Sequence, residues 1–225
     1  MSYYIEKKGA IHMWNRAELK YNARTAFKKN YMPSVVVAVL VMFTMNLTIT
    51  VGQGAVDQKA RAFFALSGGA VFLINVFISN VFEVGACTFF IENRTSQPSA
   101  LLILGNFKKP GYMNVVLVQL LRMVKTFLWT LLFIVPGIVK MYEYRMVPYI
   151  LAEDPELEQS EVFRISRQMM SGRKMELFIL DLSFFGWTFL SAMTFGLLGF
   201  FYVNPYIQAT LAEVYCYNKT TARYF

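Results

Sequence analysis

The sequence predicts an all-α fold: a polytopic membrane bundle of about six helical spans, arranged as three hairpins with basic amphipathic cytoplasmic helices. Three observations predict it. The 225 residues are 56% hydrophobic and only 16% charged, where a soluble domain carries about a quarter charged residues. Apolar runs of about 20 residues recur along the chain, the length that crosses a hydrocarbon core. Lys and Arg gather in alternate connections between those runs.

Taken in order, residues 1–32 read as a basic cytoplasmic lead. They hold no apolar stretch before a small-residue cleavage site, so a cleaved signal peptide is not expected. The first span is expected over 33–51 and the second over 66–91. The third covers 112–135, where Pro136-Gly137 breaks it, because proline lacks the backbone donor and glycine tolerates a tight turn. The fourth, 137–152, is shorter and more polar. The fifth covers 175–194, and Gly196 and Gly199 mark the turn into a sixth over 198–217. Residues 218–225 form a tail. The chain thus reads as one integral membrane domain over 1–225, with its six-span bundle at 33–217.

Charge gives the direction. The N-terminal lead, the 92–111 connection, the 153–174 connection and the tail all carry Lys and Arg. The other side has only Lys59 and Arg61. The positive-inside rule then places both termini in the cytoplasm of a cell with a plasma membrane. If 137–152 did not cross, the basic 153–174 connection would change sides, so the charge pattern argues for the crossing.

A repeat accompanies this alternation. AFKKNYMPSVV at 26–36 and NFKKPGYMNVV at 106–116 carry the same junction, and MMSGRKMELF at 169–178 is a weaker third. Each closes a cytoplasmic segment and opens an odd-numbered span. The later hairpins also share their exits: Pro148-Tyr149-Ile150 with Leu151-Ala152-Glu153, and Pro205-Tyr206-Ile207 with Leu211-Ala212-Glu213. Either one hairpin is used three times, or one rule of topology is obeyed three times. Within the lead segments, 160–171 puts Val162, Ile165 and Met169 on one face and Arg164, Arg167 and Gln168 on the other. Ser160 is the expected N-cap and Gly172 the expected stop. Lys28, Lys29, Lys108, Lys109, Arg164, Arg167, Arg173 and Lys174 are therefore candidate contacts for anionic lipid or a protein partner.

Catalytic chemistry finds no foothold. The single histidine, His12, excludes an HExxH zinc site, and no GxSxG occurs. Cys87 and Cys216 form no CxxC and read as small buried residues. The acidic residues Glu153, Asp154, Glu156, Glu158 and Glu161 read as a helix start, with Asp154 before Pro155 as N-cap. The Asn46, Asn93 and Asn218 triplets fall in a span or on the cytoplasmic side, so no glycosylation is expected. No metal, cofactor, nucleic acid or enzymatic activity is expected. The sharper signal lies inside the spans, where an ionisable residue costs about 2.5–3.5 kcal/mol at the centre and marks pairing or function. Glu83, Arg122, Arg145 and Asp181 fall roughly 8–15 Å from their cytoplasmic ends at about 1.5 Å per residue. They are expected to form one cluster, with Glu83–Arg122 and Asp181–Arg145 as its pairs. Lys140 and Glu143 are spaced to pair on one helix. Such a cluster is packing glue or a functional cavity.

Pro136-Gly137-Ile138, Pro148-Tyr149-Ile150-Leu151-Ala152, Asp154-Pro155-Glu156-Leu157, Ser166-Arg167, Gly172, Leu182-Ser183-Phe184, Gly186-Trp187, Pro205-Tyr206 and Ala212-Glu213-Val214-Tyr215 make a pattern of their own. It resembles a family of bacterial integral membrane proteins known as domain of unknown function 975. Arg16, Leu19-Lys20 and Ala23 look like that family's N-terminal helix. The resemblance implies a multi-span helical membrane protein and no particular activity. The expected function is a non-catalytic accessory or adaptor in envelope processes; the alternative is a small transporter or channel-like protein using the buried charges.

Overall fold

The computed structural model describes residues 14–46 and 75–222. His12, Lys59, Arg61, the Leu47–Val51 end of the first expected span and the 66–74 start of the second lie outside the described residues. So does most of the Asn46 triplet.

The described chain is helical, with no strand among those residues. Helix α1, Arg16–Lys29, starts on Asn15, whose side chain accepts from the Glu18 N–H at 3.3 Å. That contact satisfies one of the donors a helix start leaves open. Leu19, Ala23 and Phe27 recur at helical spacing and are buried. After Asn30 the chain bends by 103° into α2, Tyr31–Asn46. A π turn, Asn75–Ser79, leads into α3, Asn80–Glu92. A 3₁₀ segment, Ala100–Phe107, opens on the Ser99 side chain. Then follow α4 (Tyr112–Leu132), α5 (Ile134–Glu143), α6 (Val147–Glu153), α7 (Gln159–Met169), α8 (Lys174–Leu182) and α9 (Phe185–Met193). A π turn, Gly199–Val203, opens α10, Asn204–Ala222.

The core sits where α1, the 3₁₀ segment and α7 meet α3, α6 and α10. Phe27, Phe89, Phe90, Ile103, Ile150, Leu151 and Tyr215 are fully buried there. Gly85 lets α3 and the 3₁₀ segment touch: a Cβ on it would stand 2.2 Å from the Ile103 carbonyl oxygen. The two LAE stretches have matching fates. Leu151, Ala152, Leu211 and Ala212 are buried, Glu153 pairs with Lys219, and Glu213 pairs with Arg94 at 2.9 Å.

The opposite surface is apolar and exposed. Two helical stretches are long and apolar enough to cross a membrane, Tyr112–Leu132 and Lys174–Met193; the bent α1–α2 pair makes a third if it counts as one span. Only 22% and 17% of the two stretches' most apolar windows are buried. Where they end, Leu131, Phe133, Ile134 and Val135 are exposed, and so is Phe195 at 97%. A soluble protein rarely leaves such a patch to water, whereas lipid covers it at no cost.

Four boundaries differ from expectation. The α4–α5 break falls at Phe133, in extended backbone, and not at Pro136-Gly137. Pro136 is the third residue of α5, within the first turn, where its missing N–H has no intrahelical partner to lose. Gly137 is needed instead for contact, since a Cβ there would lie 2.3 Å from the Thr130 hydroxyl oxygen. The 137–152 stretch is not one helix: it breaks at Tyr144–Met146, because Pro148 cannot bond back to the Tyr144 carbonyl. Helix α7 starts at Gln159 rather than on a Ser160 cap, and Ser160 instead donates to Glu158 at 2.8 Å. Asp154 closes α6 and accepts from the Glu156 N–H at 3.1 Å, so it shapes a turn and caps no helix start. Gly172 does stop the segment after α7, with φ +73°.

Candidate functional site: a polar cavity beside a basic face

A cavity of about 590 Å³ lies among α3, α4, the α5–α6 corner and α10. Its size is that of a small-ligand pocket. Glu83 enters from α3, Gln119 and Arg122 from α4, Arg145 from the corner, and Gln208 from α10. Gln119 and Arg122 are three apart on α4 and so share a face. Arg122 Nη2 meets Glu83 Oε2 at 2.5 Å, and Gln119 Nε2 meets the same oxygen at 3.1 Å. The Gln119 side chain is buried, and its Oε1 has no partner among the described residues. Arg145 lines the same cavity and makes no ion pair among the described residues.

Asp181 is not in this group. It accepts from the Tyr142 hydroxyl at 3.1 Å, and the expected ion pair with Arg145 does not form. The cause is the corner. Tyr142 is still on α5, which packs on α8, while Arg145 falls in the turn that swings it toward α3 and α4.

Glu143 organises a second constellation. It is 4% exposed and receives Lys140 at 2.8 Å, Arg167 at 3.0 Å and Lys174 at 2.7 Å. The local Lys140 pair is legible from spacing, but the two cations from α7 and α8 are not. Lys125 stands over the Phe163 ring at 3.6 Å, a cation–π contact.

The basic face divides on inspection. Lys28, Lys29, Lys108, Lys109, Arg164 and Arg167 are exposed. Arg164 forks onto Glu161, which holds that carboxyl below the usual carboxylate range. Arg94, in the 92–111 connection, is buried enough to pull its pKa down, but its hydrogen bond to Glu213 reverses this and holds the guanidinium above its ordinary value. Arg173 is a correction: it is 7% exposed, donates to Asn218 Oδ1 and packs over the Tyr217 ring. A side chain so engaged does not reach a headgroup. Asn218 also accepts from Trp14 at 3.0 Å, and Asn30 and Asn93 bond each other at 2.7 Å. Both triplet asparagines, Asn93 and Asn218, are buried and bonded. Cys87 and Cys216 are free and buried.

Among the described residues no three His, Cys, Asp or Glu side chains are grouped as metal ligands. The cavity offers the Glu83–Arg122 pair, amide groups and a second guanidinium, that of Arg145.

The Pro-Gly-Ile, Pro-Tyr-Ile-Leu-Ala and Ala-Glu-Val-Tyr stretches thus build the α5–α6 corner and α10. Residues 131–223 match the family described as Protein of unknown function (DUF975). The matched segment supplies Arg145, Gln208 and all three cations on Glu143, while Glu83, Gln119 and Arg122 come from the chain before it. Arg16, Leu19, Lys20 and Ala23 lie before the matched segment. Searches of curated proteins and of solved structures returned no match.

Proposed function

We propose that this chain is a non-catalytic, multi-pass protein of the cytoplasmic membrane, with six spans and both termini inside. It acts as an accessory or adaptor in envelope processes and meets anionic lipid or a protein partner through its basic helices. The observation that carries this reading is the bend of 103° between α1 and α2. It lays a basic helix across the foot of an apolar one. The buried side of α1 packs on α10, while Arg16, Arg24, Lys28 and Lys29 stay exposed. A helix so placed belongs at headgroup level. The six spans take α5 and α6 as one bent crossing and α10 with its π turn as another.

Single cysteines at Lys59, Lys108 and Ser171, in a chain lacking Cys87 and Cys216, test the topology. An impermeant maleimide added outside intact cells should label only the position-59 variant. Outside labelling at 108 or 171 would overturn six spans with inner termini.

The cavity favours a second reading, a small transporter or channel-like protein. Cysteines at 83, 122 and 145 should then react with a water-soluble thiol reagent from the cytoplasmic side. Uniform silence would sink this reading and leave the first intact.

A further inference from the structure

We infer that the cavity between α3, α4 and the α5–α6 corner is a binding site for one anionic membrane lipid, whose acidic headgroup pairs with Arg145. This rests on the second reading as far as the site is concerned and names what enters it.

Three ionised side chains line the cavity, Glu83, Arg122 and Arg145. Arg122 is neutralised by Glu83 at 2.5 Å, so the remaining charge is positive and belongs to Arg145. Its guanidinium donates no hydrogen bond among the described residues, although it has five donors to give. A cation within a span is costly unless it is paired. An anion with several oxygens is the partner such a fork prefers.

Gln119 is 1% exposed, yet its Oε1 has no donor among the described residues. A buried acceptor left empty is costly. A hydroxylated headgroup supplies the missing donor together with the anion. A bare inorganic anion supplies only the charge.

The cavity is bordered by Met123, Phe127 and Met141 on α4 and α5, all exposed, with Phe127 at 63%. Met123 and Phe127 belong to one of the apolar stretches long enough to cross a membrane, Tyr112–Leu132. A soluble solute would have to leave water across an apolar rim, whereas a lipid already lies in the bilayer and slides in headgroup first. Its chains then cover Met123 and Phe127. About 590 Å³ takes a headgroup and leaves the acyl chains outside.

The test is native mass spectrometry of the full chain released from detergent, with added phosphatidylglycerol, phosphatidylcholine or glycerol 3-phosphate. Phosphatidylglycerol should be retained at least five-fold over phosphatidylcholine, and Arg145→Gln should abolish the preference. Met123→Trp, which narrows the mouth without changing charge, should weaken retention several-fold and covers the case in which Arg145→Gln does not fold. Arg167→Gln, on the outer basic face, should cost less of the preference than Arg145→Gln. Equal retention of the two lipids would overturn the inference. So would an Arg167→Gln loss as large as that of Arg145→Gln, which would place the lipid on the surface. Competition by glycerol 3-phosphate would also overturn it, since the site would then take a soluble anion. Lipid preference without solute flux keeps the inference and sinks the transporter reading; flux without preference does the reverse.

Discussion

The Tyr31 hydroxyl donates to the Phe201 carbonyl oxygen at 3.1 Å. The N–H four residues after Phe201 would be that of Pro205, which has none. Tyr31 opens α2 just after the first Phe-Lys-Lys junction, and so a residue far away in sequence donates to a carbonyl that Pro205 cannot serve. Tyr31→Phe should cost about 0.5–1.5 kcal/mol, the net worth of one hydrogen bond. In a Pro205→Ala background the same change should cost less, because alanine restores a donor. Urea or thermal melts in detergent would measure the difference. Equal losses in both backgrounds would remove the link.

The contact of Gly85 with Ile103 admits no side chain. Gly85→Ala forces α3 and the 3₁₀ segment apart, because the obstacle 2.2 Å away is backbone. A loss of about 1–3 kcal/mol is expected from overpacking. Gly105→Ala meets nothing within 4 Å and serves as the control. Melting temperatures should fall for the first variant and stay near wild type for the second.

Glu143 answers three cations at once. Glu143→Gln leaves Lys140, Arg167 and Lys174 crowded without a counter-charge. Removing one member of a fully buried pair costs about 3–5 kcal/mol. The cations here reach solvent, so about 1–3 kcal/mol is expected. Lys140→Met in the Glu143→Gln background should recover part of the loss by relieving the crowding. A double-mutant cycle on thermal stability would read it.

Glu161 gives a pH dependence with a definite sign. Its carboxyl is held below the usual range by Arg164. A carboxylate whose pKa falls on folding adds stability above its unfolded value, about 4.3, and loses it as pH drops through the folded value. Wild type and Glu161→Gln should therefore differ at pH 6 and converge as pH falls through the folded value. Circular dichroism melts across that range would show the convergence. Both side chains are solvated, so the difference at pH 6 should be small.

Much was legible in the chain itself. Helical class, the apolar stretches at 112–132 and 174–193, and the amphipathic patterns of α1 and α7 follow from spacing alone, because burial of one face is a local property of a helix. Val162, Ile165 and Met169 needed no structure to be placed inside. The Pro136–Tyr217 pattern carried a resemblance, and the family match covers 131–223. The Glu83–Arg122 contact could be guessed from charge and depth.

The partners across the bundle could not. Whether Arg145 faces Asp181 or Glu83 depends on a three-residue corner, where helical phase is lost and side-chain direction no longer follows from sequence spacing. Arg173 and Arg167 look alike as basic residues near α7, yet one is buried against Asn218 and the other bridges from the surface to Glu143. Asn30 bonds Asn93 across 63 residues, and Tyr31 bonds the Phe201 carbonyl across 170. Period and composition determine which face of a helix turns inward. Only the tertiary packing decides which polar groups meet there, because a buried donor takes the nearest acceptor the fold brings, wherever it lies in the chain.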